Sequence, residues 1–181
     1  MRGVALLRGI NVGGSARVPM AELRELFEGL GLTDVATYVQ SGNVVFTAAS
    51  LDAAKLAGAL EKEIAAAFKV RSSVLVRTGR ELAAIGSRHP FEADEPTPAK
   101  LHVVFLRGAP SKERAAALDP DRSPGDRFAL RGRELYVHYP NGQGRSKLTV
   151  DYIEKALGTV GTARNWNTVQ KLRAMVTEVD R

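Results

Sequence analysis

The pattern of hydrophobic and polar positions predicts a definite order of elements in the first half of the chain. A short apolar run, an amphipathic helix, two strands joined by Ser41-Gly42, a second amphipathic helix, a strand and a short helix follow one another. The strands are expected at Val4–Arg8, Val35–Gln40, Asn43–Thr47 and Ser73–Arg77. The helices are expected from Pro19 to Gly31, after a cap at Ser50 or Asp52, and around Arg80–Ser87. Strand-helix-strand-strand-helix-strand is the ferredoxin-like order.

The second half repeats this order as far as its second helix. A strand is expected at Leu101–Arg107, followed by a helix at Ser111–Leu118 and a hairpin of Phe128–Leu130 with Glu134–Tyr139. The next helix is expected to run through Val150, Ile153 and Leu157 and to end at Gly158. A last helix is expected from about Thr168, with Asn167 and Gln170 forming a capping box. Val4–Gly9 also aligns with Val103–Gly108. We therefore expect an internal duplication in which a helix replaces the last strand of the second copy.

These elements predict an α+β fold made of two ferredoxin-like (βαββα) halves with additional C-terminal helices. The Pro-rich, acidic run at residues 89–99 is the best candidate for a linker. The expected subdomains are therefore residues 1–88 and residues 100–181.

The first strand of each half carries a constraint on its surroundings. Val4–Leu7 and Val103–Leu106 are apolar at every position rather than alternating, which implies burial on both faces. The simplest cover for the second face is the other half of the chain. Such burial weakens a comparison with RNA-recognition motifs, because those motifs need exposed aromatic side chains on their central strands.

Composition places the chain among globular proteins and excludes several chemistries. Of its 181 residues, 44% are hydrophobic and 25% are charged. The absence of cysteine excludes disulfides, Cys-zinc sites, iron–sulfur clusters and a cysteine nucleophile. Neither a signal peptide nor a membrane-spanning run is visible, so we expect a soluble, cytoplasmic protein with no membrane partner.

The net charge indicates the kind of partner. Lys and Arg number 26 against 20 Asp and Glu, which gives +6. A basic balance favours anionic partners, either nucleic acid or a phosphorylated or acidic molecule, although a solvated basic surface accounts for it equally well. The basic residues concentrate in residues 145–173.

Four polar, glycine-rich or aromatic stretches are candidates for chemistry. The loop Gly9–Arg17 lies between a strand and a helix, where backbone N–H groups favour an anion, although it matches neither usual phosphate fingerprint and is also explained as a tight turn. Gln40–Asn43 is either an ordinary hairpin turn or part of a site. The loop Tyr139–Lys147 is Gly-rich and basic, and Thr162–Thr168 contains Trp166, which either anchors the core or contributes to a site.

No other catalytic or metal-binding pattern emerges. His89, His102 and His138 are scattered without metal-ligand spacing, and the last two are expected to be structural histidines in strands. No Ser–His–acid set is apparent from the sequence order, and no cofactor is expected.

The candidate stretches carry a resemblance to a known family. LLRGINVGG (Leu6–Gly14), VPMAEL (Val18–Leu23), the QSGNVVF run that ends at Phe46 and ARNWNTVQKL (Ala163–Leu172) resemble the bacterial family called domain of unknown function 1697. The resemblance extends from residue 3 to about residue 175. It implies a soluble bacterial α+β protein built from ferredoxin-like subdomains, and it implies no established activity.

Together these stretches define a predicted ligand site. The leading hypothesis is that an anionic small molecule, bearing a phosphate or carboxylate, binds in a cleft between the halves and pairs with Arg8 and Arg164. Nucleic-acid binding through residues 145–173, a transferase-like enzyme and a partner-binding module are the alternatives, and the oligomeric state is left open. The predicted ligand-binding residues are Arg8, Asn11, Gly13, Gly14, Ser41, Gly42, Asn43, Arg145, Ser146, Lys147, Arg164, Asn165, Trp166 and Asn167.

Overall fold

The protein, represented by a computed structural model, forms two compact units. The structure describes residues 1–14, 16–40 and 42–177. The first unit contains residues 1–84 together with the chain from Lys171 onward, and the second contains residues 85–170. The first unit is built from β1 (Arg2–Leu7), α1 (Met20–Gly29), β2 (Thr33–Tyr38), β3 (Asn43–Thr47), α2 (Ala53–Phe68), β4 (Val74–Thr78) and α3 (Gly79–Ile85, whose last residue falls in the second unit).

The second unit follows the same order of elements. It consists of β5 (Leu101–Leu106), α4 (Lys112–Ala116), β6 (Arg127–Arg131), β7 (Glu134–His138), α5 (Val150–Leu157), β8 (Gly161–Asn165) and the beginning of α6 (Trp166–Thr177). Short 3-10 turns at Pro98–Lys100 and Gln143–Arg145 complete it. Among the described residues, no helix combines the length and the apolar character that crossing a membrane requires.

Each unit contains one four-stranded antiparallel sheet of ferredoxin-like topology. The strand orders are β2-β3-β1-β4 and β6-β7-β5-β8, so the first strand of each unit is central. The register of strand pairing is also the same in the two sheets. Val4 lies opposite Arg77 in the first sheet, and Val103, at the corresponding position of β5, lies opposite Arg164 in the second. The predicted fold of two ferredoxin-like halves is confirmed, and the matching register supports the internal duplication.

The prediction that a helix replaces the last strand of the second copy is wrong. Gly161–Asn165 forms β8, which pairs with β5 from His102 to Leu106. The sequence of β8 is GTARN, which lacks the Val, Ile and aromatic residues that identify β4 as a strand. Pairing with the buried strand β5 supplies the hydrogen bonds that hold this segment extended.

The start of the last helix is therefore earlier than expected. α6 begins at Trp166, and the Asn165 side chain accepts a hydrogen bond from the Thr168 backbone N–H at 2.9 Å. An Asn that precedes a helix and accepts this bond is its N-cap. The expected capping box at Asn167 is accordingly replaced by a cap at Asn165, the equivalent of Thr78, which accepts the Glu81 N–H before α3.

The hydrophobic core of each unit lies against one face of its sheet, covered by α1 and α2 in the first unit and by α5 in the second. In the first unit Leu23 and Phe27 of α1 and Leu60 and Ile64 of α2 pack with one face of the sheet. In the second unit, α5 supplies Ile153 and Leu157. The central strands are buried at consecutive positions, as the uninterrupted apolar runs predict, since Val4–Leu7 and Val103–Leu106 are all 0% exposed.

Residues 89–99 lie within the second unit. His89 and Glu95 are buried, and the Glu95 carboxylate lies 2.8 Å from Nε2 of His138 in β7. His89 packs edge-on against both Tyr136 and Trp166. Aromatic packing and buried hydrogen bonds therefore tie this segment to the sheet.

Candidate functional site

The predicted residues of the first unit gather where β1 ends and β3 begins. Arg8, Asn11, Gly13 and Gly14 follow β1, Gly42 lies in the turn before β3, and Asn43 is the first residue of β3. The chain positions are brought together because β1 and β3 are antiparallel neighbours, with Leu6 opposite Asn43. Ser41, which is also predicted to bind ligand, and Ser15 lie outside the described residues.

Asn11 holds the loop after β1 in place. Its Nδ2 donates to the carbonyl oxygens of Val18 and Gln40, both at 2.9 Å, and its Oδ1 accepts the Val18 N–H at 2.8 Å. The residue adopts φ 53°, a left-handed conformation that Asn tolerates better than most side chains. Because both amide hydrogens are used by the backbone, Asn11 positions this loop and the neighbouring turn.

Gly42 and Asn43 are also required by the fold. Gly42 has φ +80°, and a Cβ added there would lie 2.8 Å from Cβ of Leu7. Asn43 is fully buried, and its Nδ2 donates to the Tyr38 carbonyl at 2.9 Å. At Gly13 and Gly14, by contrast, the backbone is left-handed, but among the described residues no atom beyond the adjacent positions lies within 4 Å of an added Cβ.

The loop at residues 9–17, which Asn11 holds in place, is called the braced loop. A shallow surface pocket of about 480 Å³ adjoins it. Its lining includes Asn11, Gly14, Arg17 and Gln40, so Arg17 is the charged side chain among the described lining residues. Arg17 is exposed. This loop therefore offers one exposed cation beside the pocket.

In the second unit, three predicted residues line a single pocket. Arg145, Ser146 and Lys147 form part of the wall of a cavity of about 330 Å³. The remaining lining residues are Ser123, Pro124, Asp126, Asn141 and Gly142. The described lining residues include two cations and one carboxylate, so the net charge of the pocket wall is positive.

A hydrogen-bond network connects the two loops that form this cavity. The Ser146 hydroxyl donates to Oδ2 of Asp126 and accepts the Leu148 N–H at 2.8 Å. The Lys147 N–H donates to the Ser123 hydroxyl at 3.2 Å. The loop before β6 and the loop after β7 are thus held together by hydrogen bonds, and these bonds fix the walls of the cavity between them.

Asp126 and Ser123 were not among the predicted site residues, although the sequence contains a signal for them. The hairpin of β6 and β7 turns around Gly132 and pairs Arg127 with His138. Residues just before Arg127 must therefore lie beside residues just after His138. A predicted hairpin together with its register would have placed Asp126 next to the Gly-rich loop.

Arg164 lies apart from this cavity, on the face of the second sheet opposite α5. It is 9% exposed, and its guanidinium donates to the Thr162 hydroxyl and to the Ala163 carbonyl, both at 2.8 Å. Burial lowers the pKa of Arg164 to about 10, so the side chain remains charged at neutral pH. Arg77, its counterpart in the first unit, is also buried and donates to the carbonyl of its own preceding residue, Val76.

The neighbours of Arg164 also serve the fold. Asn165 caps α6, and the Trp166 ring is 2% exposed with Nε1 donating to Glu92 Oε1 at 3.1 Å. Asn167 is exposed on the first turn of α6. This stretch is therefore the junction between a strand and a helix, and its tryptophan anchors residues 89–92.

The histidines lie in structural surroundings. Desolvation is the main reason that the pKa of His89 is lowered and that the pKa of His102 falls to about 4. The hydrogen bond from His138 is the main cause of the lowered pKa of Glu95. Among the described residues, no group of three or more His, Asp or Glu side chains is arranged to hold a metal ion.

Sequence comparison identifies the family of the chain. The family described as "Protein of unknown function (DUF1697)" matches residues 1–136. The protein belongs to the DUF1697 family. The DUF1697 match includes the braced loop, Ser123 and Asp126, and it ends before Arg145.

A solved structure shares the fold of this DUF1697 member. It is described as "the structure of conserved bacterial protein SP0830 from Streptococcus pneumoniae". The two chains are 22% identical, with a TM-score of 0.75 over 97% of this chain and 98% of that one. At this identity the likeness shows the fold alone. No curated protein matches the sequence.

Proposed function

We propose that the protein binds a small anionic molecule, bearing a phosphate or carboxylate, in the cavity of the second unit lined by Arg145 and Lys147. The observation that carries this proposal is the placement of both cations on one built cavity of about 330 Å³. That volume is at the lower end of the range that small-molecule sites occupy. A ligand of a few heavy atoms around one phosphate or carboxylate fits it.

The two cations offer complementary ways of holding an anion. Arg145 presents a planar guanidinium that can bind two oxygens at once, and Lys147 contributes a compact point charge. Asn141 and Ser123 add neutral hydrogen-bonding groups to the wall. Both cations are exposed, so solvent screens each contact, and binding depends on both of them acting together with the neutral groups of the wall.

A titration with inorganic phosphate and propyl phosphate at constant ionic strength tests the proposal. Thermal stability and NMR shifts of residues 141–147 are followed in the unmodified protein and in a variant carrying Arg145→Gln and Lys147→Gln. We expect saturable stabilisation of the unmodified protein, and an affinity at least about ten-fold lower in the variant. Equal affinity in both proteins refutes the proposal, as does the absence of saturable binding by every small phosphate compound tested.

Two further variants serve as controls. Arg80→Gln with Lys62→Gln removes the same charge from exposed positions of the first unit and should leave the affinity unchanged. Arg17→Gln tests the pocket beside the braced loop, which offers a single cation. If Arg17→Gln abolishes binding and the double variant at Arg145 and Lys147 does not, the location proposed here is wrong.

Nucleic-acid binding is the alternative proposal, and the exposed cations of residues 145–173 are what favour it. Lys155 and Lys171 are exposed, as are Arg145 and Lys147, whereas Arg164 is buried. Binding through these cations requires a steep fall in affinity with rising salt, since each phosphate contact releases counterions. Fluorescence anisotropy with labelled RNA and DNA at several salt concentrations measures that slope, and weak, salt-independent signals exclude this alternative.

A further inference from the structure

The cationic cavity of the second unit contains one carboxylate, that of Asp126. Asp126 lines the wall together with Arg145 and Lys147. An anion held by the two cations therefore shares a small cavity with a negative charge. Because like charges at short range repel, the Asp126 carboxylate weakens the binding of an anion that has no hydrogen-bond donor of its own.

The Asp126 carboxylate is held in place and retains an oxygen able to accept a hydrogen bond. Its Oδ2 accepts the Ser146 hydroxyl, whose own oxygen accepts the Leu148 N–H. Ser146 has a single proton, and its shorter acceptor contact is with Oδ2 of Asp126, since the Ser123 hydroxyl oxygen lies 3.4 Å away. Among the described residues, no side chain or backbone group donates to Oδ1 of Asp126.

From this arrangement we infer that the ligand carries, beside its anionic group, a hydroxyl or ammonium group that donates a hydrogen bond to Asp126. This inference rests on the proposed anion binding at the same cavity and names the class of molecule that the cavity selects. A donor on the ligand converts the repulsion from Asp126 into a charge-assisted hydrogen bond. The chemical class is a small phosphomonoester or carboxylate that also carries a hydroxyl or amine close to the acid group.

Asp126 is then the residue that determines specificity, and Ser146 is a positioning residue. Arg145 and Lys147 attract any small anion, whereas Asp126 distinguishes anions with a neighbouring donor from those without one. Ser146 fixes the orientation of the carboxylate through its hydroxyl. Replacing Asp126 should change which ligand is preferred more than it changes whether anions bind.

The test compares matched ligands that differ in one group. O-phosphoethanolamine supplies an ammonium donor and 2-hydroxyethyl phosphate supplies a hydroxyl, whereas propyl phosphate has similar size and no donor at that position. Isothermal titration calorimetry measures the affinity of the unmodified protein for each. We expect both donor compounds to bind about ten-fold or more tightly than propyl phosphate, as expected for one charge-assisted hydrogen bond.

The variant Asp126→Asn tests the assigned residue. Its amide removes the negative charge while keeping an oxygen that can accept the Ser146 hydroxyl. We expect the preference for the donor compounds to fall to near parity and the affinity for propyl phosphate to rise. Asp121→Asn, an exposed position outside the cavity lining, should leave both affinities unchanged.

The outcomes separate this inference from the function on which it rests. If propyl phosphate and the donor compounds bind the unmodified protein with equal affinity, the inference is overturned and anion binding stands. If none of the three compounds binds, anion binding fails and the inference fails with it. Should Asp126→Asn not fold, the comparison of the three ligands with the unmodified protein still decides the matter.

Discussion

Glu61 in α2 and Glu154 in α5 make the same hydrogen bond in the two units. Oε1 of Glu61 accepts the Val74 N–H, and Oε1 of Glu154 accepts the Gly161 N–H, both at 2.8 Å. In each case a helix carboxylate receives the first backbone N–H of the last strand of the unit. The correspondence extends the internal duplication from topology to individual side chains.

This pair leads to the first prediction. Glu154→Ala should lower the free energy of unfolding by about 1–3 kcal/mol, because the Gly161 N–H loses its charged acceptor. Glu154→Gln should cost less, since the amide oxygen can still accept. Chemical denaturation measures both, with Glu25→Ala at an exposed position of α1 as the control. A Glu154→Ala cost no larger than that of the control would show that the hydrogen bond has no net effect on stability.

The second prediction concerns the turn before β3. Gly42→Ala combines a left-handed backbone with a Cβ that would lie 2.8 Å from Leu7, whereas Gly9→Ala has a similar φ but open space. We expect Gly9→Ala to cost about 1 kcal/mol from backbone strain alone. Gly42→Ala should cost a further 1 kcal/mol or more, roughly, through steric overlap. Thermal denaturation of the two variants compares them directly, and equal losses would contradict the geometry at Gly42.

The third prediction uses a difference between the units. Each second helix ends with a left-handed residue, but that residue is Lys69 after α2 and Gly158 after α5, with φ of 57° and 67°. A left-handed conformation costs a side-chain-bearing residue about 1–2 kcal/mol relative to glycine. Lys69→Gly should therefore stabilise the protein, by up to about 1 kcal/mol after the entropy of the unfolded glycine is included. Denaturant unfolding with Lys62→Gly as the control, which should be destabilising within α2, gives the comparison.

The fourth prediction concerns acid. The pKa of His102 is lowered from 6.5 to about 4 by desolvation, and its Nδ1 finds no partner among the described residues. A base with a lowered folded pKa contributes stability that is present above pH 6.5, the unfolded value, and lost as the pH falls towards 4. The loss amounts to about 3 kcal/mol between pH 7 and pH 4.

The variant His102→Gln removes this titration. Its unfolding free energy should decline less steeply between pH 7 and pH 5 than that of the unmodified protein, whatever its stability at pH 7. The lowered pKa of Glu95 adds a loss of stability that begins only as the pH falls below about 4.5, the ordinary value of a glutamate carboxyl. Parallel pH profiles for the two proteins would show that His102 is not buried in its neutral form.

The sequence predicts the fold well because the decisive signals are local. Helical periodicity identifies α1, α2 and α5, and the uninterrupted apolar runs identify β1 and β5. By contrast, β8 has no such signal, because a strand of small and polar residues becomes extended only through pairing with β5. Local propensity cannot show a partner that lies more than fifty residues away in the chain.

The candidate site follows less directly from the sequence, for a related reason. Asn11 and Asn165 are polar residues in loops beside strand ends, which is also where ligand-binding residues are found. In the structure their side chains hold the backbone, and the sequence alone does not say whether an amide bonds to a ligand or to a carbonyl. Asp126 illustrates the converse, since its neighbours at Ser146 and Lys147 become visible only once the hairpin register is known.

Because the chain contains two repeats of one fold, each repeat can serve as an internal control for the other. Because Glu61 has a twin in Glu154 and Arg77 has a twin in Arg164, the same substitution can be made twice in one chain, in one buffer and at one temperature. Differences between twins then report how far the copies have diverged since they shared a sequence. Positions without an identical counterpart, such as Lys69 opposite Gly158, mark where the two units solve the same structural problem with different residues.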